Sequence, residues 1–125
     1  MWIYNQNTGG LHYSGDPVVA PRFVGYSGVV PYRNIPDKQC YQDLGPIPRG
    51  TYKMIGLKSN PTEYTIILIP DVSNDMCGRS NFLIHGDSVA FPGWASEGCI
   101  IISPVSARRI IWDSGDRDLE VRSGL

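Results

Sequence analysis

The chain has 125 residues, enough for one core and too few for two. Hydrophobic residues make up 42%, charged residues 18%, and the net charge is -1; this excludes a disordered chain and leaves no broad electrostatic footprint for nucleic acid or an anionic membrane. The 14 glycines and 10 prolines exceed the usual share and lie scattered between short apolar runs, the pattern of many short strands.

In chain order, Trp2 to Tyr13 reads as a hairpin turning at Asn7-Thr8-Gly9-Gly10, where glycine accepts positive φ at no steric cost. Met1 runs straight into this strand with no basic-then-apolar leader, so the protein is expected to be made in the cytoplasm without a signal peptide. An extended run from Pro21 to Tyr26 follows, then a polar loop from Val29 to Leu44. A proline turn, Gly45-Pro46-Ile47-Pro48, feeds a strand through Ile55. Tyr64 to Pro70 has the uninterrupted apolar character of a strand buried on both faces. Its apolar stretch, Thr65 to Pro70, is the longest in the chain and far too short to span a bilayer. Short strands are expected at Asn81 to His85 and Gly98 to Ile102. Ser103-Pro104 suits a helix start, with serine as N-cap and proline at the first helical position. The helix is expected to bury Ala107, Ile110 and Ile111 and to end at Gly115, before a last strand at Leu119 to Arg122.

One segment concentrates reactive groups. Phe82-Leu83-Ile84-His85-Gly86-Asp87 ends an apolar strand in a histidine, and Ala95-Ser96-Glu97-Gly98-Cys99-Ile100 opens another with a cysteine. Neighbouring strands would bring both side chains to one sheet edge, where an imidazole can take a thiol's proton and make it a nucleophile. An imidazolium there would lower the thiol's pKa, and the thiolate would raise the histidine's. Gly98 permits close backbone approach, and the amides of Glu97, Gly98 and Cys99 could form an oxyanion hole. Taken singly, each residue has a plainer reading, as a structural histidine and a small buried thiol. A zinc set of His85, Cys99, Cys77 and Asp87 lacks the short ligand pairs of zinc sites, and no cofactor or metal is expected.

The segments Ile84-His85-Gly86 and Ser96-Glu97-Gly98-Cys99-Ile100 resemble the signature of the L,D-transpeptidase catalytic domain. Gly45-Pro46-Ile47-Pro48-Arg49-Gly50-Thr51-Tyr52 resembles an upstream segment of that family, and the likeness runs from Trp2 to about Ile102. Glu97 stands where the usual motif has a second histidine, and Ile101 where an arginine commonly follows the cysteine. The form present here is similar to the L,D-transpeptidase-like effectors of type VI secretion. The resemblance implies a mostly β sandwich or barrel with one short helix after the cysteine strand, and a single catalytic domain over residues 1–125. It implies a cysteine enzyme with L,D-carboxypeptidase or exchange activity on the tetrapeptide stems of peptidoglycan, acting in the periplasm of a target cell. Cys99 would be nucleophile, His85 general base and then acid, and Ser96 the group orienting the imidazole. The expected state is a monomer, with an immunity protein as a partner that this branch implies.

Other residues carry weaker readings. Asp87 is a turn former or a group that positions His85 or receives a substrate amine. Trp94 and Phe91 are loop anchors or the wall of a substrate groove. Arg79 is a solvated surface arginine or a receptor for a stem carboxylate. Glu97 occupies a position that binds or orients the peptide stem in the family. His12 reads as an exposed strand residue without a role. Cys40 and Cys77 are either a disulfide formed after export or two buried thiols. Rival functions are a housekeeping or phage-encoded cell-wall L,D-transpeptidase and a non-catalytic peptidoglycan-binding module.

Overall fold

Short apolar runs separated by turn formers each find a neighbour in one continuous sheet. The computed structural model describes residues 1–17 and 20–125. Its strands are β1 (Trp2–Asn5), β2 (Gly10–Tyr13), β3 (Phe23–Val24), β4 (Tyr26–Ser27), β5 (Gly50–Lys58), β6 (Thr65–Pro70), β7 (Phe82–His85), β8 (Ile100–Ile101) and β9 (Asp118–Arg122). A 3-10 turn lies at Pro36–Lys38, and one helix, α1 (Val105–Asp113), follows β8. The strands lie side by side in the order β3-β2-β1-β9-β5-β6-β7-β8-β4.

The two outermost strands of this sheet belong to one segment, because only Gly25 separates β3 from β4. The Gly25 amide donates to the Gly9 carbonyl beside β2 at 2.8 Å. A Cβ placed on Gly25 would come within 1.8 Å of the Ile101 carbonyl in β8. Residues 23–27 therefore touch both ends of the sheet and nearly close it as a barrel. This is the mostly β architecture with one helix that the sequence implies.

The first hairpin forms as read, pairing Trp2 with Tyr13 and Tyr4 with Leu11. Trp2, Tyr4 and Leu11 are fully buried and join Met54, Ile66, Phe82, Ile84, Ile100, Leu119 and Val121 in one apolar cluster. Each such side chain contributes about 1.5–3 kcal/mol relative to exposure.

Three local expectations change. Strand β6 is buried on one face only: Ile66 and Leu68 point inward, while Ile69 is half exposed. An antiparallel strand in a single curved sheet has an outer face that no second layer covers. The helix has Pro104, not Ser103, as its N-cap; the Ser103 hydroxyl instead accepts the Asp87 amide at 3.2 Å. The helix buries Ala107, Arg108 and Ile111, leaving Ile110 half exposed. The arginine takes the inward position because three carbonyls wait for it there, as described below.

Candidate active site

Strands β7 and β8 run parallel, with Ile84 opposite Ile100 and His85 opposite Ile101. Ile84 and Ile100 both enter the core. His85 ends β7, and Cys99 immediately precedes β8. The Cys99 thiol donates to the Asn81 carbonyl at 3.8 Å, so it neighbours the imidazole across the cleft with no hydrogen bond between the two. Both side chains line one cleft of about 550 Å³, with Thr62, Leu83, Asp87, Trp94 and Glu97 around them. A second groove of about 490 Å³ includes Lys53, Asp71 and Asp118 in its lining but neither His85 nor Cys99; its lysine is paired with Asp118.

His85 is only 5% exposed, and its Nδ1 sits 2.8 Å from the Gly86 carbonyl. A carbonyl can only accept, so that partner assigns the proton to Nδ1 and leaves the Nε2 lone pair free. The Gly86 amide is held by Thr62 Oγ1 at 2.7 Å, and the His85 carbonyl by the Ile102 amide at 2.9 Å. Behind Gly86 lies buried Arg108, which donates to the carbonyls of Ile102, Glu63 and Tyr64. A Cβ on Gly86 would meet its Nη1 at 2.9 Å.

Burial pushes the His85 pKa down, and the nearby Arg108 charge adds to that. Burial pushes the Cys99 thiol up, and Glu97 reinforces the shift. The two shifts run opposite to an imidazolium–thiolate pair, because excluding water penalises each charged form separately. A neutral imidazole and a neutral thiol share the cleft.

The structure gives the remaining candidates definite places. Ser96 is fully buried and does not hold the imidazole. Its hydroxyl donates to the Cys99 carbonyl at 2.6 Å and accepts the amides of Gly28 and Gly98, so it braces the turn that presents Cys99. The Gly98 amide is thereby engaged, which removes it from the expected oxyanion hole. Asp87 accepts the Tyr26 hydroxyl at 2.6 Å and the amides of Ser88 and Gly93; its carboxylate organises the loop over the cleft and does not touch the imidazole. Burial, with this bond, pushes the Tyr26 pKa up to about 12. Trp94 lines the cleft, 61% exposed, while Phe91 is exposed beyond its lining. Glu97 lies exposed at the cleft with no cation at ion-pair distance among the described residues. Arg79 is neither solvated nor open to a carboxylate: it is 5% exposed and donates to backbone carbonyls. His12 is partly buried in strand β2. Cys40 and Cys77 form a disulfide, so Cys77 cannot serve in a zinc set with His85 and Cys99.

Sequence reasoning missed Arg108, Tyr26, Ser27 and Thr62. Ser27 is fully buried; its hydroxyl donates to the Gly98 carbonyl at 3.3 Å and accepts the Ile47 amide at 2.8 Å, joining the proline turn to the cysteine turn. Tyr26 lies 61 positions from Asp87. No local pattern announces a contact of that range.

The family model of the Tlde1 domain matches residues 21–122. This chain belongs to the Tlde1 domain family. By its name that is a family of type VI secretion L,D-transpeptidase effectors. No curated protein and no solved structure matches the chain. The part that matches the Tlde1 domain begins after the first hairpin and runs through α1 into β9, further toward the C-terminus than the motif likeness, which ended near Ile102. It contains His85, Cys99 and all the groups that brace them. Among the described residues of this Tlde1 domain, no helix is long and apolar enough to cross a membrane.

Proposed function

We propose that this Tlde1 domain is a cysteine enzyme that cleaves the L,D-bond of tetrapeptide stems in peptidoglycan. The observation that carries the reading is a buried imidazole, fixed through Nδ1, sharing one cleft with the Cys99 thiol that immediately precedes the next parallel strand. Cys99 Sγ attacks the carbonyl of the third stem residue, a diaminopimelate, as its proton passes to His85 Nε2. The tetrahedral intermediate collapses by breaking the C–N bond to the terminal D-alanine. The imidazolium returns its proton to that leaving amine, and a thioester remains on Cys99. Water then releases a tripeptide stem, or the amine of a D-amino acid takes the acyl group in exchange.

Neutral resting partners suit this sequence, because the base is ready and the charges arise only as attack proceeds. The amides of Glu97 and Cys99 are the proposed donors to the developing oxyanion. Trp94 and exposed Glu97 are the proposed cleft contacts to the stem, the carboxylate facing its ammonium group. The chain acts as a single domain over residues 1–125, in the periplasm of a target cell, with an immunity protein as its antagonist.

The test is mass spectrometry of purified muropeptides after incubation with the protein. The wild type should convert tetrapeptide to tripeptide stems, or exchange the terminal residue when a D-amino acid is supplied. Cys99→Ala should do neither while keeping the same circular dichroism spectrum. Full conversion by that variant would sink the proposal.

A further inference from the structure

Arg79 carries a buried charge without an ion-pair partner among the described residues. Only 5% of its surface is exposed, and among the described residues no carboxylate lies within ion-pair distance. Its guanidinium donates to the carbonyls of Pro46 at 2.8 Å, Gly45 at 3.1 Å and Glu97 at 3.4 Å, and to Gln39. These acceptors take the Nη protons, and the Phe82 ring lies 5.6 Å from the guanidinium carbon, but no carboxylate pairs with the charge. Burying an unpaired cation is costly, and a neutral donor could join the same carbonyls with less desolvation.

The position of this charge is specific. A Cβ on Gly98 would fall 2.0 Å from Arg79 Nη2, and Gly98 has φ +120. The guanidinium therefore fills the space beneath the peptide that leads into Cys99. The Cys40–Cys77 disulfide ties the segment carrying Arg79 to the loop supplying the Gln39 carbonyl, which holds donor and acceptor in register. The charged groups that act on the thiol are Lys58 on β5, Glu97 in the preceding loop and Arg79, with His85 lining the same cleft; Tyr52 and Asp43 act on Arg79.

We infer that Arg79 is a positioning residue for Cys99: it fixes the Glu97–Gly98 backbone that presents the thiol and keeps a positive charge behind it, not ion-paired at rest and available to the negative charge that develops during attack. This rests on the reading of Cys99 as nucleophile. A fixed charge that meets its partner only in the reaction lowers the barrier without tightening the resting complex. The charge also opposes the upward push of burial on the thiol.

The experiment is the pH profile of Cys99 alkylation by iodoacetamide, with kcat and KM for tripeptide release, in Arg79→Gln, Arg79→Met and Arg79→Lys. Loss of the charge should raise the labelling midpoint by roughly one pH unit and lower kcat at least about tenfold, with KM little changed. Arg79→Lys should keep the midpoint and recover part of kcat, though one ammonium cannot hold all four carbonyls. A purely structural clamp predicts the reverse, because loosening would expose the thiol and drop its midpoint toward the ordinary value near 8.5. An unchanged or falling midpoint in Arg79→Gln overturns the inference. If the neutral variants fail to fold, Arg79→Lys decides, and a raised midpoint or a wild-type kcat overturns it. Labelling needs no substrate, so a failure here is distinct from the failure that active Cys99→Ala would register.

Discussion

Burial moves the His85 and Cys99 pKa values apart for a single reason: each loses the solvation of its charged form. The neutral imidazole is the form that can accept a proton, and it predominates above its pKa. Because that pKa is lowered, the acid limb of kcat/KM should fall below the ordinary histidine value of about 6.5. Because the thiol is raised, alkylation of Cys99 in the native protein should have its midpoint above the ordinary cysteine value of about 8.5. Cys40 and Cys77 should stay unlabelled until reduced. His85→Ala should cost roughly 10²–10⁴ in turnover, and raising the pH should recover labelling more than turnover, since the leaving amine still lacks its acid. Parallel pH profiles of turnover and labelling check both limbs; an acid limb well above pH 7 would contradict the structure.

The loops that shape the site are held by side chains more than by ladder hydrogen bonds. Ser96, Ser27 and Arg79 together tie the cysteine turn to residues 28 and 45–47, and the Cys40–Cys77 bond closes the loop that contains the proline turn. Cross-linking residues this far apart restricts the unfolded chain, so Cys40→Ser should destabilise the protein by about 2–4 kcal/mol. Urea denaturation with and without reductant measures it: the wild type should lose stability on reduction, and the variant should not respond. A second buried arginine, Arg108, packs behind Gly86 of the histidine turn as Arg79 packs behind Gly98 of the cysteine turn. Neither arginine was legible as a buried group, because the sequence shows a charge and not the carbonyls that converge on it.

Closure of the sheet depends on one residue without a side chain. A methyl group on Gly25 would sit 1.8 Å from a backbone oxygen, a clash that no rotamer change relieves. Gly25→Ala should therefore destabilise by roughly 3 kcal/mol or more, whereas Gly124→Ala, which would meet nothing within 4 Å, should change little. Comparison of the two urea midpoints tests whether the 23–27 segment is the seam of the barrel. Because β4 pairs directly with β8, opening the seam should also release the strand that follows Cys99, and turnover should fall before the protein unfolds globally.

Much was present in the linear sequence: the first hairpin, the sites of the main strands, the ending of the helix before Gly115, and the meeting of His85 and Cys99 at one cleft. These follow from local rules, since period-two alternation, turn chemistry and a histidine and a cysteine at the ends of adjoining apolar runs act over a few residues. Tertiary structure decided the one-sided burial of β6, the inward turn of Arg108, the disulfide between Cys40 and Cys77, and the hold on the imidazole through Gly86 instead of Ser96. It also decided the direction of both pKa shifts. Each of these depends on what another part of the chain brings alongside, and the free energy of a buried charge is set by those neighbours and by the exclusion of water.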